Sequence, residues 1–275
     1  MTSKRNLRSQ KRRKKVQRVW LLRIFLIVVV LVLVIFGVSY AASLGSIQIS
    51  RIDIEGNNVV SDERIRTIVY EKTEGGIVWI FPKTNIFLYP KELIRQSIFE
   101  AFPRIRSVTV DTDFFHRIVV IVQERQPYAQ WCAASGEKEI CHYLDETGYV
   151  FAESPSFSGG AFTRFYGVIK GDPLKKRYVS EKTFTALNTL VAGLRDLSWY
   201  PVRVVASSDK GFVLYSENMG KIFYSTMIPP EQVLSNFTSI LQDTTLSISR
   251  TPRENIEYID FRSGNKVFYR LTQEE

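Results

Sequence analysis

Histidine and cysteine are scarce, two of each in 275 residues, and no acid precedes Asp53. The scarce residues lack metal spacing as well: Cys132, Cys141 and His142 with a distant His116 show no paired-ligand pattern of a zinc site. Also missing are Gly-x-Ser-x-Gly, Gly-x-x-x-x-Gly-Lys, His-Glu-x-x-His and Gly-x-Gly-x-x-Gly. Their absence removes support for a nucleophile elbow, a phosphate-cradling loop, a zinc-protease helix and a dinucleotide fold. No repeat recurs at a solenoid period, so a stacked array is excluded. His116 falls in a turn and His142 beside Cys141, where each reads as a surface or packing residue rather than a base. Glu124, Asp145 and Asp260 sit at strand ends or turns, where solvated and turn-forming carboxylates are common, and paired-acid chemistry has no positive support. The expectation is a chain without enzymatic activity, cofactor, metal or small-molecule substrate.

What is present is distributed unevenly. Lys plus Arg number 37 against 28 Asp plus Glu. Ten of the bases, Lys4, Arg5, Arg8, Lys11, Arg12, Arg13, Lys14, Lys15, Arg18 and Arg23, lie before Ser43, leaving 27 bases against 28 acids in the rest. The net charge of +9 therefore describes a tail, and a nucleic-acid-binding body loses its main support. With 45% hydrophobic and 24% charged residues the remainder has globular composition. About 230 residues are enough for one or two domains with real cores.

Ile24 to Ala42 reads IFLIVVVLVLVIFGVSYAA, without a charge. At the helical rise about 19 residues reach about 28 Å, close to the hydrocarbon thickness of a bilayer. Trp20 and Tyr40 lie near its ends, where amphipathic rings prefer the interface, and Arg23 can snorkel to the headgroups. Positive loops stay in the cytoplasm, so the N-terminus is expected inside and everything after Ser43 outside. Two readings compete with an anchor over 20–42. KRRKK at Lys11 to Lys15 can be a nucleic-acid or localisation patch, although it abuts the spanning segment. A cleaved signal peptide with Ser39 and Ala41 around the cut is the other, but its apolar run exceeds the roughly 7 to 15 residues of such segments.

Cys132 and Cys141 both fall outside, in WCAASGEKEICHYLD. A two-residue turn at Gly136-Glu137 would place them opposite each other and make them a disulfide candidate; free thiols remain the alternative, with metal binding a weaker one.

After a linker over 43–48, the pattern predicts a strand at Ile49–Glu55, a helix capped by Ser61 with Ile65, Ile68 and Val69 inward, and a loop from Lys72 to Lys83. A second helix opens at Pro90 with Leu93, Ile94, Ile98 and Phe99 inward and ends by Pro103. Strands at Ile105–Thr112 and Arg117–Glu124 follow. The order strand, helix, helix, strand, strand implies a small sheet with two helices on one face. From Gln126 the pattern shifts to short strands: Tyr128–Cys132, Cys141–Leu144, Tyr149–Ala152 and Phe165–Ile169. A helix capped by Ser180 follows, then a meander over Val202–Ala206, Gly211–Ser216 and Lys221–Ser225 with turns at Asp209-Lys210 and Asn218-Met219-Gly220. Pro229-Pro230 opens another helix, on which Asn236-Phe-Thr238 matches a glycosylation sequon of little weight. A hairpin closes the chain, Ile256–Arg262, Ser263-Gly264-Asn265, then Lys266–Thr272.

Tail, anchor, TNIFLYPKELIRQSIFEAFPRIRSVTV and RIVVIVQERQPYAQW together resemble the POTRA domain of the bacterial division proteins FtsQ and DivIB. Asn85-Ile86-Phe87, Pro103-Arg104-Ile105 and Glu124-Arg125-Gln126-Pro127 are similar to the family's landmarks, YLDETGYVF to its Asp-x-x-Gly hairpin, and Tyr258-Ile-Asp-Phe-Arg262 to its C-terminal hairpin. Phe261 for the usual Leu, the Cys pair and the short stretch after Gln273 depart from it. The resemblance implies an α+β chain: basic tail 1–19, transmembrane helix 20–42, linker 43–48, POTRA domain 49–125 and antiparallel β domain with flanking helices 126–275. It implies a non-enzymatic divisome scaffold in the bacterial inner membrane at the septum. An FtsB- or DivIC-like partner, in complex with an FtsL-like protein, would be received by strand addition at Lys266, Val267, Phe268, Tyr269, Arg270 and Leu271, with Arg262 and Ser263 near the contact. Other division proteins would reach the POTRA domain. A last strand is a natural sheet edge; the alternative is a closing core strand whose Lys and Arg block aggregation. Two functional classes compete, a membrane-anchored cell-envelope enzyme and a POTRA chaperone module, the latter normally carrying repeated domains and a barrel.

Overall fold

The computed structural model describes residues 4–77, 81–113, 116–135, 138–155, 157, 161–207, 211–217, 220–243, 256–264 and 266–272. The expected turns at Gly136-Glu137, Asp209-Lys210, Asn218-Met219 and Asn265 lie wholly or partly outside them. The chain forms two compact units, Met1–Ala101 with Ser107–Gln123, and Phe102–Arg106 with Glu124–Glu275.

In the first unit, helix α1 runs from Lys4 to Ala42, through the basic tail as well as the apolar run. Lys, Arg, Gln and Leu are good helix formers, so the tail continues the helix rather than preceding it. The segment Lys15–Ala42 is long and apolar enough to cross a membrane, and its most apolar 18-residue stretch is unburied within the protein. A single 3₁₀ turn, Gly45–Ile47, follows. Strands β1 (Arg51–Glu55), β4 (Ile105–Asp113) and β5 (Arg117–Glu124) form a sheet in the order β1-β5-β4, with β1 parallel to β5. Parallel neighbours need a crossover, which α2 (Asp62–Thr73) and α3 (Lys91–Ala101) supply. Alternate residues Ile118, Val120 and Val122 are buried, the signature of a sheet covered on one face. The expected loop contains a two-residue ladder, β2 (Gly76–Ile77) with β3 (Phe81–Pro82).

Three local expectations change. Ser61 is the N-cap of α2 but its hydroxyl makes no capping bond; the turn is held by Asn57, whose Nδ2 donates to Val60 O at 2.8 Å and to Asp62 Oδ1 at 2.5 Å. Pro90 precedes α3 rather than starting it, its carbonyl accepting Ile94 N at 3.0 Å. Leu93 and Phe99 are 47% and 40% exposed, because the buried stripe of α3 is the pair Ile94 and Ile98, four residues apart on one helix face.

Asn85 ties the end of α1 to this unit. Its buried side chain donates from Nδ2 to Ala42 O at 2.8 Å and accepts Phe87 N at Oδ1 at 2.9 Å. Ile49 N donates to Thr84 O at 2.8 Å and Ile86 N to Ile47 O at 3.0 Å.

The second unit is one nine-stranded sheet. Its strands are β6 (Ala129–Ser135), β7 (Lys138–Leu144), β8 (Val150–Ser154), β9 (Arg164–Tyr166), β10 (Pro201–Ala206), β11 (Gly211–Ser216), β12 (Lys221–Ser225), β13 (Ile256–Ser263) and β14 (Lys266–Leu271), in the order β14-β13-β12-β11-β10-β9-β6-β7-β8. Most pairs are antiparallel, but β9–β10, β6–β9 and β12–β13 are parallel. The helices explain two of these: α4 (Glu181–Asp196) joins β9 to β10 and α5 (Pro230–Gln242) joins β12 to β13, so each strand re-enters the sheet in the same direction. Ser180 caps α4, its Oγ accepting Thr183 N at 3.2 Å. Phe184, Leu187, Leu190 and Leu194 of α4 pack with Val233 and Phe237 of α5 against Phe165, Val204, Leu214, Ile222, Tyr224, Ile259 and Phe261 of the sheet.

The turn from β7 to β8 is built around Asp145, which is fully buried. Its Oδ1 accepts from Thr147 N, Thr147 Oγ1 and Tyr149 N at 2.8, 2.7 and 3.0 Å, and Oδ2 accepts from Arg125 Nη1 at 2.5 Å. Burial works against the charged carboxylate, and the bonds from Thr147, Tyr149 and Arg125 outweigh it, leaving its pKa below the ordinary value. Arg125 also donates Nε to Pro103 O at 3.2 Å and lies 4.1 Å over the Tyr149 ring. Gly148 adopts φ 78°, and a Cβ there would stand 2.7 Å from the Phe184 ring, so only glycine closes this turn against α4.

Cys132 and Cys141 are register partners on β6 and β7 and form a disulfide with Cα atoms 4.1 Å apart. Sulfurs bonded to each other are not thiolate ligands, so the metal reading of Cys132, Cys141 and His142 fails.

Two outcomes follow. Reducing the disulfide in the detergent-solubilised chain, or replacing both cysteines by Ser, is expected to cost about 2.5 to 3 kcal/mol of unfolding free energy, read from the denaturant midpoint. Because the Asp145 pKa is depressed, its contribution is complete above the unfolded carboxyl value and is lost as pH falls through the folded one. Asp145→Ala should cost about 3 kcal/mol at neutral pH, and Arg125→Met in the same chain should restore part of it by removing the stranded charge. Acid titrations of the two proteins should then run parallel where wild type does not.

Candidate partner-binding edge

The hairpin β13–β14 closes one side of the nine-stranded sheet. Antiparallel pairing sets Ile256 opposite Leu271, Tyr258 opposite Arg270, Ile259 opposite Tyr269, Asp260 opposite Phe268 and Ser263 opposite Lys266, with irregularities at Ile256–Tyr258 and Asp260–Ser263. Gly264 turns the chain with φ 69°, and its carbonyl accepts Asn236 Nδ2 of α5 at 3.4 Å. β14 has one strand neighbour among the described residues, β13.

Alternation along β14 gives its two faces different tasks. Val267 and Leu271 pack against the core with α5 behind them, anchoring the strand. Tyr269 shares their parity but is 37% exposed, and on the other face Phe268 is 54% exposed. Lys266 and Arg270 are exposed, Arg270 lying 5.4 Å over the Tyr258 ring and 3.8 Å from Glu257. On β13, Arg262 donates Nη2 to Asp260 Oδ2 at 2.7 Å and Nε to Asp260 Oδ1 at 3.0 Å, and stacks 4.8 Å over Phe223. Burial opposes the Asp260 charge, and the Arg262 side-chain and backbone bonds overcome it, holding its pKa below the ordinary carboxylate value. Ser263 sits at the hairpin end opposite Lys266.

Comparison with protein families is decisive for the other unit: residues 47–125 match the POTRA domain, FtsQ-type. Residues 47–125 therefore form an FtsQ-type POTRA domain. A search of curated proteins returns no match. An FtsQ-type domain behind one apolar helix fits a single-pass membrane protein and supports a scaffold role in cell division.

Outside the matched domain, the structure brings the eight residues singled out from sequence onto a single hairpin, and it adds a feature that sequence reading missed. Strand pairing aligns Arg203, Tyr215, Lys221, Tyr258 and Arg270 in one row across β10 to β14, cation alternating with aromatic. Arg203 lies 4.1 Å over the Tyr215 ring. Arg203 and Tyr215 also line a cleft of about 440 Å³ with Phe162, Arg164, Tyr166 and Glu217. Each strand shows only one or two of these residues, so register was the missing information.

The core-strand alternative separates cleanly from an exposed edge. Phe268→Ala is expected to move the unfolding free energy by less than about 0.5 kcal/mol, as for other surface positions. Phe261→Ala on the core face of β13 should cost about 3 to 5 kcal/mol in the same denaturation series. A large loss at Phe268 would show that β14 closes the core instead.

Proposed function

We propose that this protein is a non-enzymatic divisome scaffold that receives an FtsB/DivIC-like chain, itself in complex with an FtsL-like protein, by strand addition on β14. The observation that carries the reading is the outer side of β14: a six-residue strand with a single strand neighbour among the described residues, anchored to the core by Val267 and Leu271. The backbone N–H and C=O groups on its side away from β13 offer a ladder to an incoming strand, and alternating side chains supply selectivity. Phe268 and Tyr269 offer aromatic contact, and Lys266, Arg270 and Arg262 favour an acidic partner segment.

In this reading residues 1–19 are a cytoplasmic tail and 20–42 the anchor, with 43–48 as linker. The POTRA domain over 49–125 and the β domain over 126–275 stand outside the inner membrane, and the protein gathers at the septum. The ten bases before Ser43 support that orientation.

The test is imaging of a fluorescent protein fused at Met1 in dividing cells, beside the same fusion truncated before Lys266. Full-length label at the constriction, with partner recruitment lost on truncation, is the expected result. A uniform envelope signal through division would sink the proposal.

A further inference from the structure

We infer that the loop Thr84–Leu88 of the POTRA domain rests in the lipid headgroup layer at the C-terminal end of α1, with Phe87 inserted among the lipids. The inference rests on α1 being a membrane span.

The apolar run ends at Ala42, which places the Ala42 carbonyl at the boundary between hydrocarbon and headgroups. A helix end leaves its last carbonyls without intrahelical partners, and here one is taken by the domain itself: Asn85 Nδ2 donates to Ala42 O at 2.8 Å. Asn85 is only 2% exposed, so this is a built contact. Its Oδ1 accepts Phe87 N at 2.9 Å, so a single asparagine side chain separates the Phe87 backbone from the end of the span. Ile49 N to Thr84 O, Ile86 N to Ile47 O and Gln48 Nε2 to Ser43 O, at 2.8, 3.0 and 3.0 Å, hold the same segments together. The loop is therefore fixed at the depth of Ala42, where lipid is the surrounding medium.

Side chains at that depth suit it. Phe87 is 77% exposed, the most of any phenylalanine described after the span, and Leu44, at 46%, lies two residues past its end. Between Glu74 and Glu92 the sequence has no acid and two lysines, Lys83 and Lys91, which favours an anionic headgroup layer. An exposed aromatic ring gains by entering the interface and loses by facing water. Asn85 is thus a positioning residue that sets the height of the domain above the bilayer.

The experiment uses the full chain in vesicles of phosphatidylethanolamine and phosphatidylglycerol. Phe87→Cys is labelled with an environment-sensitive fluorophore, the two native cysteines being disulfide-bonded. Ile121→Cys is the control, being 47% exposed and paired with Glu55 at the far end of β1. Quenching by headgroup-nitroxide lipid is expected to be several-fold stronger at position 87 than at 121. Asn85→Asp, which keeps the acceptor for Phe87 N and loses the donor to Ala42, should weaken it towards the control value. Equal quenching at the two positions overturns the inference. Protection of the 87 label from aqueous iodide without lipid quenching, lost at one chain per vesicle, overturns it in favour of a second copy. Alkaline extraction separates the two levels of the argument: a wild-type chain released by carbonate sinks the span itself, whereas a retained chain with an unquenched label sinks only the seating.

Discussion

The buried carboxylate of Asp145 is the constraint on which the second unit depends. A charge with no exposure is tolerated only when its acceptor sites are filled, and here Thr147, Tyr149 and Arg125 fill them. Filling them dictates the geometry around it. The turn must close at Gly148, which puts the chain against Phe184 of α4. Arg125 must lie flat over Tyr149 to reach Oδ2 while its Nε holds Pro103 O. Asn188 of α4 adds a bond to Glu146 O at 3.2 Å. One polar knot therefore registers the β7–β8 end of the sheet on the helix that fills the core.

From that end the sheet extends through nine strands to β14. Crossovers through α4 and α5 bury its inner face with Phe165, Leu214, Ile222 and Phe261, leaving the other face for rings and guanidinium groups. Natural edges are blunted by charge, and the exposed Lys266 and Arg270 place charge on β14. On the proposed reading, the same cations that discourage self-association select an acidic partner.

The first unit solves a different problem, a folded domain at the end of a membrane helix. A free linker would leave the carbonyls of Ala42 and its neighbours to water or lipid headgroups. Asn85 instead joins helix end and domain by one buried amide, and the short ladder between residues 47–49 and 84–86 completes the joint. Tail, span and POTRA domain are in this way continuous in structure as well as in sequence.

Much of this was legible in the residues. The charge-free run Ile24–Ala42, the periodicity of Ile65 and Val69, the β-branched strands around Val120 and the α+β order of elements are local signals, and each element forms where its pattern says. That the chain closes in a hairpin with Lys266–Leu271 as its last strand was also readable, from the alternation on either side of Ser263-Gly264-Asn265. Leu93 and Phe99 were misread because helical spacing admits several stripes, and packing against one partner selects only Ile94 and Ile98. The parallel pairs β9–β10 and β12–β13, the alignment of Arg203, Tyr215, Lys221, Tyr258 and Arg270, and the seat of Asn85 on Ala42 were not readable at all. Sequence by itself determined which segments span, curl or extend, since those choices follow from side chains within a few residues of one another. Only the tertiary structure decided which strands are neighbours and which buried polar groups meet, because such pairings are settled by contacts between residues tens of positions apart.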